Sequence, residues 1–402
     1  MNVIFLTIVG VKDLKERGIY TDLMRKFRDE GHKVVIVSPR ERRYAQQTQL
    51  TDVDGVQILG VRTLNIFSTN IIEKGLGTLL IEGQYKRAIK KHVGHVKFDL
   101  ILYSTPPITF TRVVKCLKRA NPKALTYLLL KDIFPQNAVD IGMFSAGSLL
   151  NKDFRRKEKS LYKVSDYIGC MSPANVEYVL KHNPEIAPER VEVAPNSVEL
   201  SVEGLGIGDS DKLSVRKKHG LPQDKPIFIY GGNLGRPQGI DFLIKCLDAN
   251  KMRKDCLFVV IGKGTEYGKL AAWYEKNKNL NVILKERLPK TAYDELVRAC
   301  DAGLIFLDHR FTIPNFPLRL LSYLENSMPV LCATDPHTDM GRIAERNGFG
   351  YWCESVKPED FTALVDKMLA SDMKQMGENG FEFLKKNYLV EHTYNPIVSH
   401  VR

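Results

Sequence analysis

The residues best suited to chemistry stand where apolar runs give way to glycine, lysine or arginine. Phe228-Ile229-Tyr230 leads into Gly231-Gly232-Asn233-Leu234-Gly235-Arg236-Pro237-Gln238-Gly239. Val259-Val260-Ile261 leads into Gly262-Lys263-Gly264, and Leu284 into Lys285-Glu286-Arg287-Leu288-Pro289. Glycines let a backbone approach a ligand closely, and helix starts after such turns favour anions. Lys263 and Arg236 bring positive charge to the same kind of place, as a diphosphate requires. The run Asn315-Phe316-Pro317-Leu318-Arg319-Leu320-Leu321-Ser322-Tyr323-Leu324-Glu325 reads as a loop turning into a short helix. Backbone N–H groups from Phe316 to Leu320, with Arg319, can hold phosphate there. A different chemistry is open to Lys131-Asp132, which follow the strand-like Leu128-Leu129-Leu130. Asp132 can orient a hydroxyl or act as its base; a helix-capping Asp is the competing reading.

Each of these turns needs a strand to deliver it, and the pattern supplies them. Strands are expected at Val3–Val9, Lys33–Val37, Val56–Val61, Leu100–Tyr103, Leu125–Leu130, Tyr167–Met171 and Val191–Ala194. A second series is expected at Ile227–Tyr230, Leu257–Ile261, Val282–Leu284, Ala302–Phe306 and Pro329–Cys332. Helices fall between them, Ile19–Asp29 being the clearest. Such alternation implies parallel sheets, whose carboxyl edges bind ligands. The stretch Ser201 to Asp211 reads as turns and marks a domain boundary. The triplets Asp52-Val53-Asp54 and Asp209-Ser210-Asp211 also read as turns, because neither follows a long buried strand at a sheet edge.

Taken together, the glycine turns and the Asn315–Glu325 run resemble the nucleotide-sugar loops of GT-B glycosyltransferases, in particular the large retaining family four. Lys131-Asp132-Ile133-Phe134-Pro135-Gln136 resembles a motif of sugar transferases from surface-polysaccharide pathways. The resemblance implies an α/β fold of two doubly wound Rossmann-like domains facing a cleft. It implies an acceptor-binding domain over residues 1–200, a nucleotide-sugar domain over 201–385, and a segment over 386–402 returning to the first domain. It implies a retaining transferase that moves a sugar, of UDP type, to a lipid-linked or glycan acceptor in bacterial capsule, exopolysaccharide or O-antigen synthesis, with no metal. Gly231, Gly232, Asn233, Gln238, Gly262, Gly264, Arg287, Phe316, Pro317, Leu318, Arg319, Ser322 and Glu325 would contact the donor. Asp132, Lys263 and Arg236 would serve catalysis. The family's usual Glu-x7-Glu pair is replaced by Pro314 and Ser322. Ser322 can still bond a hydroxyl, and Glu325, about one turn on, can take over the ribose contact. The missing pair motivates an alternative, a non-catalytic paralogue that binds nucleotide sugar or glycan within a complex.

Composition sets outer limits. A chain of 402 residues, 44% hydrophobic and 26% charged, is expected to be globular and to hold two domains. No apolar run reaches the roughly 18 residues of a membrane span. The apolar start reads as a core strand, not a signal peptide. The seven cysteines (Cys116, Cys170, Cys246, Cys256, Cys300, Cys332, Cys353) are dispersed, as expected for reduced thiols in the cytoplasm, and no clustered zinc ligands are present. Residues 1–200 hold 31 Lys/Arg against 21 Asp/Glu, and the remainder 28 against 26. The basic first half points to an anionic partner. Nucleic acid is disfavoured because no helix-turn-helix, RNP or zinc-finger pattern is present. The segment from Ile66 to Lys91, with Lys86, Arg87, Lys90 and Lys91, is expected to rest peripherally on an anionic membrane; an ordinary core-facing helix is the other reading.

Overall fold

The computed structural model describes every residue except 68, 70, 201–208, 279 and 402, and leaves aside the side chains of 71, 72, 74, 209 and 210. The chain forms two compact units, one of Met1–Glu199 with Leu389–Arg402 and one of Leu200–Tyr388.

The first unit is built on eight strands: β1 (Asn2–Leu6), β2 (Lys33–Glu41), β3 (Gln49–Val53), β4 (Val56–Thr63), β5 (Leu100–Ser104), β6 (Leu125–Leu130), β7 (Tyr167–Cys170) and β8 (Val191–Val193). Their order is β3-β4-β2-β1-β5-β6-β7-β8. All neighbours are parallel except the β3–β4 hairpin. The interior strands are almost wholly apolar because helices cover both faces of a parallel sheet. Val3, Ile4, Phe5, Leu6, Leu100, Ile101, Leu102 and Tyr103 are all fully buried. The helix Ile19–Asp29 packs Leu23, Met24 and Phe27 into this core. The helix Glu391–Ser399 joins it, with the Tyr394 ring 4.9 Å from Phe27. Of the triplet Asp52-Val53-Asp54, expected as a turn, Asp52 and Val53 end β3 and only Asp54 enters the hairpin turn, where Asp54 and Gly55 have φ of 52° and 80°.

The second unit carries β9 (Ile227–Asn233), β10 (Leu257–Lys263), β11 (Val282–Lys285), β12 (Ala302–Phe306), β13 (Val330–Thr334) and β14 (Gly350–Glu354). They form one parallel sheet in the order β11-β10-β9-β12-β13-β14. Rings stack along its core, for instance Phe228 on Phe258 at 5.5 Å. Truncating either ring to Ala is expected to cost about 3–5 kcal/mol.

Several elements depart from the sequence pattern. β3 and β14 were not signalled. Asp209-Ser210-Asp211 opens the helix Asp209–Lys218 instead of forming a turn. Acidic residues suit that end because free N–H groups give it positive character. Residues 201–208 of the turn-rich stretch lie outside the described residues.

In each sheet the chain reverses its direction of growth at one point. These points lie between β1 and β5 in the first unit and between β9 and β12 in the second. Loops diverge there at the carboxyl edge, which is where doubly wound sheets bind ligands.

Candidate functional site

At the second unit's reversal point the site is organised around Arg319. The residue begins the short helix Arg319–Glu325, after the loop that follows β12. Its guanidinium lies 4.2 Å from the centre of the Tyr230 ring. Its Nη1 is buried and has no hydrogen-bond partner, and no carboxylate pairs with it among the described residues. Burial works against the charge, but the hydroxyls of Tyr230, Tyr323 and Tyr293 more than offset it, so its pKa stands above the ordinary value. A buried cation without a counter-ion is costly to fold, and such groups concentrate at functional sites.

Three tyrosines hold this arrangement, and two of them fit only because a neighbour is glycine. A Cβ on Gly231 would lie 1.9 Å from the Tyr293 hydroxyl oxygen. A Cβ on Gly303 would lie 2.2 Å from the Tyr323 ring. The Tyr323 hydroxyl accepts from Gly231 N–H at 3.2 Å and donates to the Ile229 carbonyl at 3.1 Å. The Tyr230 hydroxyl donates to the Asn233 carbonyl at 2.7 Å. Burial pushes the Tyr293 phenol up to about 12. Gly231 is therefore a packing residue filled by Tyr293, which corrects the expectation of ligand contact there. Gly232 is exposed, has φ of 127°, and lies over the guanidinium: a Cβ on it would be 3.5 Å from Arg319 Nη2.

The glycines after β10 do not have the role expected either. A Cβ on Gly262 would lie 2.0 Å from the Gly232 carbonyl oxygen, and one on Gly264 would lie 2.3 Å from the Leu234 carbonyl. The neighbouring turn fills the space a side chain would need at these glycines. The Leu234 N–H donates to the Lys263 carbonyl at 3.1 Å, and Glu266 N–H to the Leu234 carbonyl at 2.9 Å. This interlock leaves the Lys263 side chain exposed at the sheet edge. Arg236 is exposed 3.6 Å from the Glu266 carboxylate. Gln238 accepts from Asn233 Nδ2 at 3.1 Å and from Gly235 N–H at 3.2 Å, fastening the turn.

The loop before Arg319 is anchored from behind. Asn315 N–H donates to Thr338 Oγ1 at 3.1 Å, and that hydroxyl donates to Asp335 Oδ2 at 2.9 Å. Phe316 is buried with its ring 5.4 Å from Tyr388, so it anchors the loop and cannot contact a donor with its side chain. Pro317 is half-buried and Leu318 exposed. The Leu320 N–H donates to the Pro317 carbonyl at 3.2 Å, which removes it from the expected phosphate cradle. Ser322 is half-buried, and its carbonyl accepts from Asn326 at 2.7 Å. Glu325 is buried at the far end of the helix, roughly 9 Å of helical rise beyond Arg319. That position points towards the start of β13, at the opposite sheet edge, and does not suit a ribose contact. Arg287 is exposed just beyond β11.

At the first unit's carboxyl edge, Lys131 and Asp132 follow β6. Thr105, just after β5, accepts with its hydroxyl from both backbone N–H groups, at 3.0 and 3.2 Å. The Lys131 ammonium donates to the Ala194 and Pro195 carbonyls at 3.0 Å, and burial pulls it down to about 7. Burial pushes the Asp132 carboxyl up to about 6, against a 2.6 Å hydrogen bond from Asn137. A carboxyl at that value loses its proton just below neutrality and can then accept one from a hydroxyl.

One family model, described as Glycosyltransferase Family 4, matches residues 19–202, and another, described as Glycosyl transferases group 1, matches residues 211–383. The chain is a GT-B glycosyltransferase of family four. Among its relatives, a Pseudomonas aeruginosa protein named as a probable glycosyltransferase, WbjE, is 23% identical over 290 residues, 72% of this chain and 71% of that one. WcaI of Escherichia coli K12, which carries the name of a colanic acid biosynthesis glycosyl transferase, is 26% identical over 45% of this chain and 43% of its own. Among solved structures, sucrose-phosphate synthase of Thermosynechococcus elongatus has the same fold, with a TM-score of 0.77 at 14% identity over 99% of this chain and 97% of its own. Anabaena HepE in complex with UDP and glucose gives 0.70 at 14% identity, covering 99% and 98%.

In this glycosyltransferase the sequence pattern had pointed to Arg319 but not to its tyrosines. Tyr293 lies on the helix Lys290–Arg298, and nothing local marks it. Asp308 was missed as well. Its N–H donates to the Pro237 carbonyl at 3.0 Å, which joins the turn after β12 to the glycine turn after β9. Burial raises its carboxyl, the Arg310 fork outweighs that, and the pKa ends below the ordinary value.

Proposed function

We propose that this glycosyltransferase moves a sugar from a UDP-type nucleotide sugar, with retention and without a metal, to a lipid-linked or glycan acceptor in bacterial polysaccharide synthesis. The observation that carries the reading is Arg319 beneath Gly232, whose guanidinium lies on the Tyr230 ring with its buried Nη1 left without a hydrogen-bond partner. It suits a diphosphate, whose charge grows as the sugar departs. Lys263 and Arg236 supply exposed positive charge on the adjoining turns. Asp132 would orient the acceptor hydroxyl or take its proton. The names of WcaI and of the HepE complexes motivate the polysaccharide product and the uridine donor.

A thermal-shift screen in EDTA tests the donor. UDP and UDP-sugars are expected to raise the melting temperature more than ADP or GDP do, because a ligand of the folded state stabilises it. No shift with any nucleotide in EDTA, followed by a shift on adding manganese, would sink the metal-free reading.

The acceptor side is proposed to rest on an anionic membrane through the helix Ile71–His92. Leu76, Leu79 and Leu80 are exposed along it, and Lys86, Arg87, Lys90 and Lys91 follow. No helix among the described residues is long and apolar enough to cross a membrane. Reversing those four charges is expected to reduce co-sedimentation with anionic vesicles at low salt while sparing UDP binding. Equal sedimentation of parent and variant would refute the docking face.

A further inference from the structure

The first unit also carries an open groove of about 540 Å³ that neither the donor site nor Asp132 uses, although its Arg87 and Lys91 also belong to the proposed membrane face. One wall is the β3–β4 edge and the other is the second half of the helix Ile71–His92. Gln84, Arg87, Ala88 and Lys91 line it at the spacing of a single helix face, with His92 at the end. From the sheet edge comes Arg62, whose guanidinium is aimed by Gln47: Nη1 donates to Gln47 Oε1 at 3.2 Å. Thr48 Oγ1 accepts from Arg62 N–H at 3.0 Å, which leaves its own hydroxyl hydrogen available. No carboxylate lines the groove.

Cations near a helix C-terminus often do no more than offset the helix dipole. That explains Lys90, Lys91 and His92 but not Arg62, which belongs to the sheet, nor Gln84, two turns earlier. The Gln84 amide oxygen is buried and has no hydrogen-bond partner among the described residues. A buried acceptor left in that state is costly unless something donates to it. The groove thus combines donors for an anion with an acceptor for a hydroxyl.

We propose that this groove binds a phosphate ester whose alcohol part carries a free hydroxyl. Arg62, Arg87 and Lys91 would hold the phosphate oxygens, and Gln84 would accept from the hydroxyl. The proposal stands apart from the donor site and does not need it. Two sources share this chemistry, a soluble polyol or sugar phosphate and the phosphoglycerol headgroup of an anionic lipid.

The test uses the full chain and two charge-matched pairs of substitutions. Arg87→Gln with Lys91→Gln removes groove charges. Lys115→Gln with Arg119→Gln removes the same charge from exposed positions of the helix Thr111–Ala120, outside the groove. Glycerol 3-phosphate is expected to bind saturably by calorimetry, and more tightly than inorganic phosphate. The groove pair should weaken it at least tenfold and the control pair less than twofold. Gln84→Met should abolish the preference over inorganic phosphate, and unchanged melting temperatures show the variants are folded. The second arm uses phosphatidylglycerol–phosphatidylcholine vesicles. If the groove pair loses sedimentation far more than the control pair, the lipid headgroup is the source. If only glycerol 3-phosphate shows that contrast, the source is soluble. Equal losses from both pairs with both probes, or no saturable binding of either, would overturn the proposal, because a diffuse basic surface behaves in that way.

Discussion

The two carboxyl edges solve the same electrostatic problem in opposite ways. At the edge of the second unit a buried cation keeps its charge: three tyrosines surround Arg319 and its pKa stays above the ordinary value. At the edge of the first unit the buried groups give way, Lys131 falling to about 7 and Asp132 rising to about 6. A fixed charge suits a task that never changes, such as holding a diphosphate. A pKa moved towards neutrality suits a task that passes a proton. The comparison teaches that burial alone does not decide the outcome; the intrinsic pKa of the group and the side chains packed around it decide with it. An arginine starts so far above neutrality that burial does not discharge it, whereas a carboxyl or an ammonium can be moved across neutrality.

The largest effect is expected from Arg319→Met. Transfer should fall about 10²–10³-fold in kcat/KM, the scale of losing a preorganised charge contact of roughly 3–4 kcal/mol. The melting temperature without ligand should change little, because the lost Tyr230 contact is offset by removing a buried nitrogen that has no hydrogen-bond partner. A fall in stability with normal activity would show that the guanidinium serves the fold and would end the contrast between the edges.

Asp132→Asn comes next. The rate is expected to fall about 10²-fold, and the limb of the wild-type pH profile near 6 should vanish. If the carboxylate acts as the base, as proposed, wild-type activity should rise as pH climbs through that value. Stability has the opposite sign. The folded pKa lies above the ordinary 3.8, so this group's contribution is complete below 3.8 and is lost as pH rises through about 6. Asp132→Asn should therefore stabilise the protein at pH 7 by roughly 2 kcal/mol relative to its effect at pH 4. A variant with the wild-type pH profile would remove the carboxyl from the chemistry.

The smallest effect is expected from Lys263→Ala, about 1.5 kcal/mol or near tenfold in UDP affinity, and less at high salt because the side chain is exposed. Unchanged affinity in calorimetry would leave Arg319 as the main cation of the donor edge and sharpen the contrast with Lys131 and Asp132.

How much of this was legible in the residues depends on range. β5, β6, β9, β10 and β12 were readable because a strand buried on both faces must be apolar throughout, as Leu100–Tyr103 and Leu257–Ile261 are. β3 was not, since Gln49–Val53 is polar and becomes a strand only through its antiparallel partner β4. At the site, the turns were legible as glycine after apolar runs. Their use was not: Gly231, Gly262 and Gly264 are glycine because Tyr293, Gly232 and Leu234 occupy the space of a side chain. Those partners lie in other elements, and only the folded backbone brings them close. Glu325 failed for a related reason. Helical spacing places it near Ser322, but the helix carries it away from the edge where Arg319 begins.

The backbone interlock of Gly262 and Gly264 with the turn after β9 also bears on heredity. Two stretches of chain that touch main chain to main chain cannot drift separately, since any side chain gained by one collides with the other. Substitutions that retune donor preference are therefore expected to arise on the outer residues, such as Lys263, Arg236 and Arg287, while the two turns pass together as one inherited piece. An attempt to graft either turn alone from a distant relative should yield a misassembled edge, and a transplant of both at once should not.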